Sequence, residues 1–257
     1  MIAQVEITAI PGVPDIQPGD DLARLLGDCL EVVGGLRDGD ILCIAHKIVS
    51  KAEGNIINLS QVNPSPEAKK LAEKICKNPA KVEVVLRQST RIVNSWKRPD
   101  QNEGTMICEH RLGFISANAG VDESNIEGEN SVITLPNDPD ASAARLGKAL
   151  GARFGVEIGV VITDTFGRPW RLGQVNVAIG LFGIPAKVSE VGSTDAWGRP
   201  LSVTEPAFSD ELAAASGLVV KKAAKTPLVR LSGISWAPHP TTSARDILRT
   251  QEEDMFR

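Results

Sequence analysis

The sequence contains no tyrosine, and aromatic residues make up 4% of its 257 positions. Proteins that bind nucleic acid commonly stack bases on aromatic side chains and carry a basic stripe. Here 32 acidic residues face 28 basic ones, for a formal net charge of −4, and no basic run is interleaved with aromatics. The composition therefore argues against nucleic acid as a partner.

Long apolar runs are also missing. No stretch approaches the roughly 18 apolar residues of a membrane span, and the first residues, MIAQVEITAIPG, lack the basic and apolar regions of a signal peptide. The cysteines Cys29, Cys43, Cys76 and Cys108 lie far apart and form no CxxC pair, which favours reduced thiols over a disulfide framework. We expect a cytoplasmic protein that has no membrane partner.

Several catalytic signatures are absent. The sequence has no GxxxxGK[ST] and no GxGxxG after a strand, which argues against a P-loop and a dinucleotide-binding fingerprint. The three histidines, His46, His110 and His239, lack zinc-ligand spacing, and no GxSxG elbow is present. Zinc chemistry and a hydrolytic triad are therefore disfavoured.

What is present is an ordinary globular pattern, with 42% hydrophobic and 23% charged residues. The length allows one large domain or two small ones. Helical and alternating patterns follow one another irregularly and include hairpin candidates, which favours an α+β class over a regular βαβ array. The pattern predicts helices that start near Asp21, Ser65, Asn78, Asp140 and Ser209, and strands at 5–9, 41–45, 105–108, 114–117, 201–204 and 226–231.

One stretch, residues 159–180, carries the clearest functional signal. An apolar run ends in Thr163, Asp164 and Thr165, and the chain then turns towards a second apolar run. A carboxylate and a hydroxyl at the end of a buried strand can place metal ligands on rigid backbone. Nearby, Arg168 and Arg171 could grip an anionic part of a substrate, or could only pair with surface acids.

A second acid has a similar setting. Asp122 follows an apolar run and is surrounded by Gly, Asn and Ser residues, as Asp164 is by Gly and Thr. Mg²⁺ and Mn²⁺ prefer carboxylate, hydroxyl and water oxygens, and two adjacent acids would repel each other without a cation between them. Either acid alone could form a turn. Their occurrence with Asn125 and Thr165 favours a divalent metal site.

Lysine and histidine near residue 50 are harder to interpret from pattern alone. Lys51 lies just past a strand in a Ser-Lys pair followed by Gly54, where it could contact a phosphate as a mobile charge. A solvated surface lysine is the other interpretation. His46 could equally pack or cap, so the residues themselves give it no role.

These residues belong to four segments that resemble one family. The segments VSKAEG (49–54), NAGVDESN (118–125), ITDTFGRPWRLGQ (162–174) and VTEPAFSDELAAA (203–215) are similar, in order and comparable spacing, to the coenzyme F420-0:γ-glutamyl ligases. The resemblance extends from the first strand to about Gly233.

The resemblance implies a fold of the family's own, with antiparallel and mixed sheets flanked by helices, neither P-loop nor Rossmann. It also implies an intertwined homodimer. Residues 1–257 would form a single ligase domain that could comprise two lobes, and residues 234–257 would be a C-terminal tail with a short helix.

The resemblance further implies a reaction. L-glutamate would be added to the carboxylate of coenzyme F420-0, with optional further γ-linked glutamates. GTP would be the co-substrate, and GDP and phosphate would be released after an acyl-phosphate intermediate. A divalent cation, Mn²⁺ or Mg²⁺, would be required, and a monovalent cation such as K⁺ is a further candidate.

Family roles carry over onto matching positions of this chain. Asp122, Asp164 and Lys51 would be catalytic, and Arg168 and Arg171 would bind substrate. The metal ligands would be Asp122, Asp164 and Thr165. The nucleotide would contact Gly12, Val13, Pro14, Asp15, His46, Lys47, Lys51 and Asn125.

This chain departs from the family near residues 219–226. Relatives commonly have a glycine followed by an acidic or amide residue there, whereas this chain has Lys221 and Lys222. Either Glu205, Asp210 or another oxygen completes the coordination, or one of these lysines contacts phosphate. Two alternatives therefore stay open: a related ligase with a different acceptor, and a non-catalytic protein that binds nucleotide or deazaflavin.

Overall fold

The computed structural model describes residues 4–128, 130–220 and 225–254. The described strands are β1 Glu6–Ala9, β2 Ile41–Ala45, β3 Ile56–Asn58, β4 Ser89–Trp96, β5 Thr105–His110, β6 Ile115–Ala117, β7 Ser131–Ile133, β8 Gly159–Arg168, β9 Arg171–Phe182 and β10 Leu228–Ser232. The described helices are α1 Leu22–Val32, α2 His46–Ala52, α3 Pro66–Ile75, α4 Pro79–Gln88, α5 Pro139–Phe154 and α6 Phe208–Ser216, and short 3₁₀ turns cover Leu59–Gln61, Asn118–Gly120 and Ala244–Ile247. Within these ranges, no helix has the length and apolar character that a membrane crossing requires.

The strands form mixed and antiparallel sheets, which confirms the predicted α+β class. The largest sheet in the described part of the chain has the order β1-β10-β2-β8-β9. In it, β2 and β8 run parallel, and the other neighbours are antiparallel. The strands β4, β5 and β6 form an antiparallel sheet, and β3 pairs with β7. The homodimer and the division into lobes stay predictions.

Two helix starts follow directly from the sequence. The Oγ atom of Ser65 accepts the N–H of Ala68, and the side chain of Asn78 accepts the N–H groups of Ala80 and Lys81, so each caps its helix. A proline occupies the first turn in both helices, where its missing N–H costs no hydrogen bond. The predicted starts at Ser65 and Asn78 are therefore confirmed.

The predicted cap of α5 was wrong by two residues. Asp138, rather than Asp140, accepts the N–H of Ala141 and is the N-cap. Asp140 lies inside the first turn, where its carboxylate accepts the N–H of Leu181 and the hydroxyl of Ser243. A long-range contact thus uses the acid that the local pattern predicted to cap the helix.

The predicted strand at 201–204 is also wrong. These residues have no strand assignment and belong to an irregular connection between β9 and α6. The backbone bonds there are isolated, for example from the N–H of Glu190 to the oxygen of Thr204. The side chain of Val203 is 86% exposed, so no buried face holds the segment in a sheet.

The β8–β9 hairpin is longer than the sequence predicts. The apolar pattern places a strand end after Ile162, but β8 continues to Arg168 because β9 pairs with it almost throughout. Its first half is buried, whereas its second half and the facing part of β9 extend towards solvent. Asp164 therefore lies in the middle of a hydrogen-bonded strand, opposite Val177, instead of at a strand end.

The buried apolar residues form two clusters. One is built on the five-stranded sheet and the helices packed on it, and includes Ile44, Ile162 and Leu150. The other gathers around α3, α4 and β5, and includes Val84 and Met106. The short helix α2 follows β2 without a loop, so its first residues lie at the carboxyl end of β2, beside the middle of the parallel strand β8. Ligand sites in open sheets commonly form at such an edge.

Candidate functional site

A cavity of about 350 Å³ opens at the carboxyl end of β2, beside the middle of β8. It brings together most of the predicted site residues from four separate parts of the chain. The predicted nucleotide contacts that line it are Val13, Pro14, Asp15, His46, Lys47, Lys51 and Asn125, and the predicted metal ligands that line it are Asp164 and Thr165. These nine predicted residues therefore share one concave site.

Four predicted residues do not line the cavity. Gly12 precedes the lining residue Val13 and has a φ of +80°, a conformation that glycine adopts without steric cost. Arg168 and Arg171 lie at the exposed end of the β8–β9 hairpin, where the guanidinium of Arg168 donates to the carbonyl of Leu172 at 2.7 Å. Asp122 lies beside the cavity and reaches it through Lys47.

Asp164 projects from β8 beside a buried histidine. Its Oδ1 atom accepts the backbone N–H of Thr165 at 2.7 Å and lies 3.3 Å from Nε2 of His46. The His46 nitrogen is buried and, despite that distance, lacks the geometry of a hydrogen bond. On the other side of the ring, Nδ1 lies 3.3 Å from the hydroxyl of Ser50. The imidazole is thus fixed against the carboxylate that faces the cavity.

The next residue of β8 extends this polar wall. The hydroxyl of Thr165 donates to Oδ1 of Asn176 at 2.9 Å across the β8–β9 pair. Asn176 also lines the cavity, although its pattern in the sequence gave no signal. Because Thr165 and Asn176 are opposite each other in the strand register, their side chains lie on the same face of the hairpin, whereas the side chain of Asp164, one position earlier in β8, projects from the other face.

Asp122 makes a full set of hydrogen bonds. Its Oδ1 atom accepts the N–H groups of Glu123 at 2.7 Å and Ser124 at 3.0 Å. Its Oδ2 atom accepts the ammonium of Lys47 at 2.5 Å and the hydroxyl of Ser124 at 2.8 Å. Partial burial would raise the pKa of Asp122, but the bonds from Lys47 and Ser124 outweigh it and hold the pKa well below its usual value. Asp122 is therefore ionised.

The two acids are separated by a lysine in this arrangement. Lys47 lines the cavity that Asp164 faces, and its ammonium contacts Asp122 and both oxygens of Ser124, the hydroxyl and the carbonyl. The sequence predicted that Asp122 and Asp164 meet around a shared cation. In the structure, the positive charge beside Asp122 is the side chain of Lys47.

The oxygen atoms at one position of the cavity wall, around Asp164, are suited to a hard divalent cation. Among the described residues, no group of three His, Cys, Asp or Glu side chains could hold a metal ion. Asp164 nevertheless presents carboxylate oxygens on the cavity wall, which is the chemistry that Mg²⁺ and Mn²⁺ prefer, and its neighbour Thr165 also lines the cavity. Asp122 fits as a further ligand only if Lys47 leaves its Oδ2 atom.

The alternative oxygen ligands from the sequence are used elsewhere. Glu205 pairs with Lys187 at 3.0 Å, and Asp210 accepts the N–H of Ala178 at 2.9 Å. Neither lines the cavity, and burial raises the pKa of Asp210. The other half of that prediction, a phosphate contact from Lys221 or Lys222, lies outside the described residues.

A third lysine at the cavity was missed from the sequence. Lys225 lines it and donates to both carboxylate oxygens of Asp15, at 2.9 and 3.1 Å. The hydrogen bond and charge of Lys225 lower the pKa of Asp15. The signal was the lysine-rich segment just before it, but nothing local indicates that this segment faces residues 13–15.

Charged side chains of both signs line the cavity: the lysines Lys47, Lys51 and Lys225, and the acids Asp15, Glu127 and Asp164. Lys47 and Lys225 are each paired with one acid, whereas Lys51 makes no ion pair within the described residues. Cys43 also lines the cavity. Burial raises the pKa of its thiol to about 12, so a reactive thiolate is excluded there. The arrangement is suited to binding an anion, such as a polyphosphate, beside an acid that can hold a metal ion.

A separate ion-pair cluster holds the Asp122 loop from behind. The ammonium of Lys81, on α4, donates to Glu123 at 2.6 Å and to Glu103 at 3.1 Å, and Lys77 donates to the same Glu103 oxygen at 3.0 Å. Both lysines are buried, while the carboxylates are about half exposed. Because Glu123 follows Asp122 directly, this cluster positions the loop that carries Asp122.

Comparison with known proteins gives a consistent result. The family model described as F420-0:Gamma-glutamyl ligase matches residues 12–233. The chain is 44% identical over 257 residues to the coenzyme F420:L-glutamate ligase of Methanopyrus kandleri, covering 98% of both proteins. It is 40% identical to the protein of that name from Methanothermobacter thermautotrophicus, covering 98% of this chain and 99% of the relative. The Archaeoglobus fulgidus relative is 36% identical, with 99% and 97% covered.

Proposed function

Because this chain belongs to the F420-0:γ-glutamyl ligase family, we propose that it ligates L-glutamate to the carboxylate of coenzyme F420-0 at the expense of GTP. Further glutamates would join by γ-linkage. The observation that carries the proposal is the single cavity in which lysines and the Asp164–Thr165 pair converge.

The chemistry requires activation of the acceptor. A carboxylate is a poor electrophile, so its oxygen first attacks the γ-phosphorus of GTP. The bond from that phosphorus to the bridging oxygen breaks, GDP leaves, and an acyl phosphate forms. The amine of glutamate then attacks the acyl carbon, an amide bond forms with loss of a proton, and inorganic phosphate leaves. Positioning and charge stabilisation supply most of the acceleration in such reactions.

The residues of the cavity suit these steps. Lys51, which has no ion-pair partner in the described ranges, is available to neutralise a phosphate, and the lining residues 13–15 and Asn125 would contact the nucleotide. Asp164 and Thr165 would hold a divalent cation, Mn²⁺ or Mg²⁺, which supplies charge neutralisation on the transferred phosphoryl group. A K⁺ ion is a further candidate cofactor. The ring of His46 packs against Asp164, with Nε2 3.3 Å from Oδ1.

Substrate contacts and assembly complete the proposal. Arg168 and Arg171 lie on the exposed hairpin end, where they are available to bind the acidic groups of the substrate.

Large apolar side chains are exposed in the same part of the molecule. The side chain of Leu172, in the β8–β9 hairpin, is 97% exposed, and that of Trp197, in the loop before α6, is 87% exposed. Exposed large apolar side chains favour association, which supports the intertwined homodimer. Light scattering across a concentration series tests this assembly.

The decisive experiment is a direct product measurement. The protein is incubated with coenzyme F420-0, GTP, Mn²⁺ and L-glutamate, and the product is weighed by mass spectrometry while GDP release is followed. A mass increase of one glutamyl group, matched by one GDP, supports the proposal. Parallel reactions with ATP, with other acceptor carboxylates and with other amines define specificity.

A matched pair of variants links the activity to the cavity. Lys51→Met is expected to lower kcat/KM for GTP roughly a hundredfold, the range for loss of a charge contact to the transferring phosphoryl group. Lys69→Met removes an exposed lysine of α3 and serves as the control. Binding of GTP and F420-0 with no GDP release would instead indicate a non-catalytic binding protein. Turnover only with another acceptor would indicate a related ligase.

A further inference from the structure

The carboxylate of Asp122 has reached its bonding capacity within the protein. A carboxylate has about four lone-pair positions, and Asp122 already accepts four hydrogen bonds, from Glu123, Lys47 and, twice, Ser124. A metal ion can therefore bind this acid only by replacing one of these donors. The Asp122 side chain is 42% exposed, so an ion can reach it.

Lys47 is the donor that can leave. The two bonds to Oδ1 come from backbone N–H groups of the same turn, whose positions are fixed by the chain. The Ser124 hydroxyl on Oδ2 belongs to the same turn and carries no charge that would repel a metal ion. The Lys47 ammonium instead ends a flexible stem that comes from α2, and that stem lines the cavity. An ammonium that leaves Asp122 remains charged and needs another anion, which the phosphates of a bound nucleotide supply.

We propose that Lys47 and a divalent cation bind Asp122 alternately, and that displaced Lys47 moves to the nucleotide phosphates. The inference rests on the proposed function for the presence of nucleotide and metal ion in this cavity. It adds a coupling: phosphates draw Lys47 away from Asp122 and so open the metal position, and the metal ion releases Lys47 towards the phosphates. By linkage, each ligand then strengthens the other to the same extent.

The test is equilibrium binding of Mn²⁺ without nucleotide, measured from the electron paramagnetic resonance signal of free Mn²⁺. Wild-type protein is expected to bind weakly, because Lys47 competes for Asp122. Lys47→Met removes the competing charge and keeps a stem of similar length. We expect this variant to bind Mn²⁺ roughly tenfold more tightly, since the positive charge that contacts the carboxylate and repels Mn²⁺ is gone.

Lys51→Met is the matched control for this measurement. It removes the same charge from the same cavity, but Lys51 does not contact Asp122 and Lys47 stays in place. Its Mn²⁺ affinity is expected to change by less than about threefold, because the more distant charge is largely screened. Equal tightening in both variants, or none in Lys47→Met, would overturn the exchange.

A second measurement tests the same exchange through the affinity of the protein for nucleotide. GDP affinity is measured in EDTA for Asp122→Asn, which frees Lys47, and for Asp164→Asn, which removes an equal charge without freeing a lysine. The first variant is expected to gain several-fold more affinity than the second, and the excess is expected to disappear in the double variant Asp122→Asn/Lys47→Met. Equal gains in the two single variants would contradict the proposal. Neither experiment depends on turnover, so their outcome is separate from that of the ligase assay.

Discussion

The two acids at the heart of the candidate site are held in different ways. Asp164 belongs to β8, whose inner half pairs with β2 and whose length pairs with β9. Asp122 lies in a loop that has one isolated bridge, to Ile133, and otherwise depends on charged side chains from α2 and α4. Backbone ladders fix one acid, and ion pairs fix the other.

This difference predicts which acid is rigid and which is adjustable. Asp164 follows the last residue of β8 that pairs with β2 and is itself paired with β9, so this stretch of strand keeps its side-chain directions and presents the carboxylate in one place. A loop held by lysines responds to any ion that competes for its carboxylates. Under the proposed function, the sheet side would therefore supply a permanent metal ligand, and the loop side one that depends on what else is bound.

The largest expected effect comes from the rigid acid. Asp164→Asn removes the charged oxygen ligand but keeps its size and its place in β8, so GTP-dependent glutamylation should fall by at least about a thousandfold. Thermal unfolding should be nearly unchanged. Asp100→Asn, at an acid that is 70% exposed and outside the cavity, is the control. Full activity of Asp164→Asn would remove its metal role.

Parts of the fold and of the site could be predicted from the sequence because their causes are local. Ser65 and Asn78 cap helices through bonds to residues two or three positions ahead, and a buried apolar run marks Ile41–Ala45. Of the residues that line the cavity, Lys51, Asn125, Asp164 and Thr165 lie in the four family segments, and Val13, Pro14, Asp15, His46 and Lys47 were indicated by the roles that the resemblance implies. In each case the physical cause lies within a few neighbouring positions or in the resemblance itself.

Other features depend on residues far away in the sequence. The bond between Lys47 and Asp122 joins positions separated by 75 residues, and the bond between Lys225 and Asp15 joins positions separated by 210. The extension of β8 past Asp164 depends on pairing with β9, and the use of Asp140 depends on Leu181. No local pattern encodes which distant acid a lysine meets, so these contacts needed the structure.

The next effect concerns His110, which ends β5 close enough to Asp164 for their charges to interact. Burial and the charge of Arg111 lower the pKa of His110 from 6.5 to about 4, and Asp164 offsets this only in part. Between these values the unfolded chain binds a proton that the folded protein excludes. Stability is therefore complete above about pH 6.5 and falls as the pH drops towards 4, by roughly 2 kcal/mol between pH 7 and pH 5.

Denaturant unfolding at pH 7 and pH 5 measures this loss. In His110→Asn the side chain can still accept the N–H of Leu112, as Nδ1 of His110 does, but it does not titrate in this range. The difference in unfolding free energy between the two pH values should shrink by most of that amount. An equally steep pH dependence in this variant would assign the loss to other groups.

A smaller effect is expected behind the adjustable loop. Burial alone would lower the pKa of Lys81, but its hydrogen bonds to Glu123 and Glu103 outweigh burial and raise it. Lys81→Met breaks both pairs, yet the two carboxylates are about half exposed and can be rehydrated. We expect a loss of about 1 kcal/mol in unfolding free energy, smaller at high salt. Lys70→Met, on an exposed face of α3, is the control.

The smallest effect should come from the pair at the cavity mouth, Asp15 and Lys225, whose side chains are 57% and 72% exposed. Water solvates both groups, so Asp15→Asn should leave the Tm unchanged. It should tighten nucleotide binding by less than about threefold, because Lys225 is released and one negative charge is removed near the phosphates. Calorimetric titration with GDP measures this change. Since the side chain of Lys47 is only 17% exposed, release of that half-buried lysine by Asp122→Asn should have the larger effect on nucleotide affinity. Equal effects would mean that exposure does not distinguish the two lysine–acid pairs.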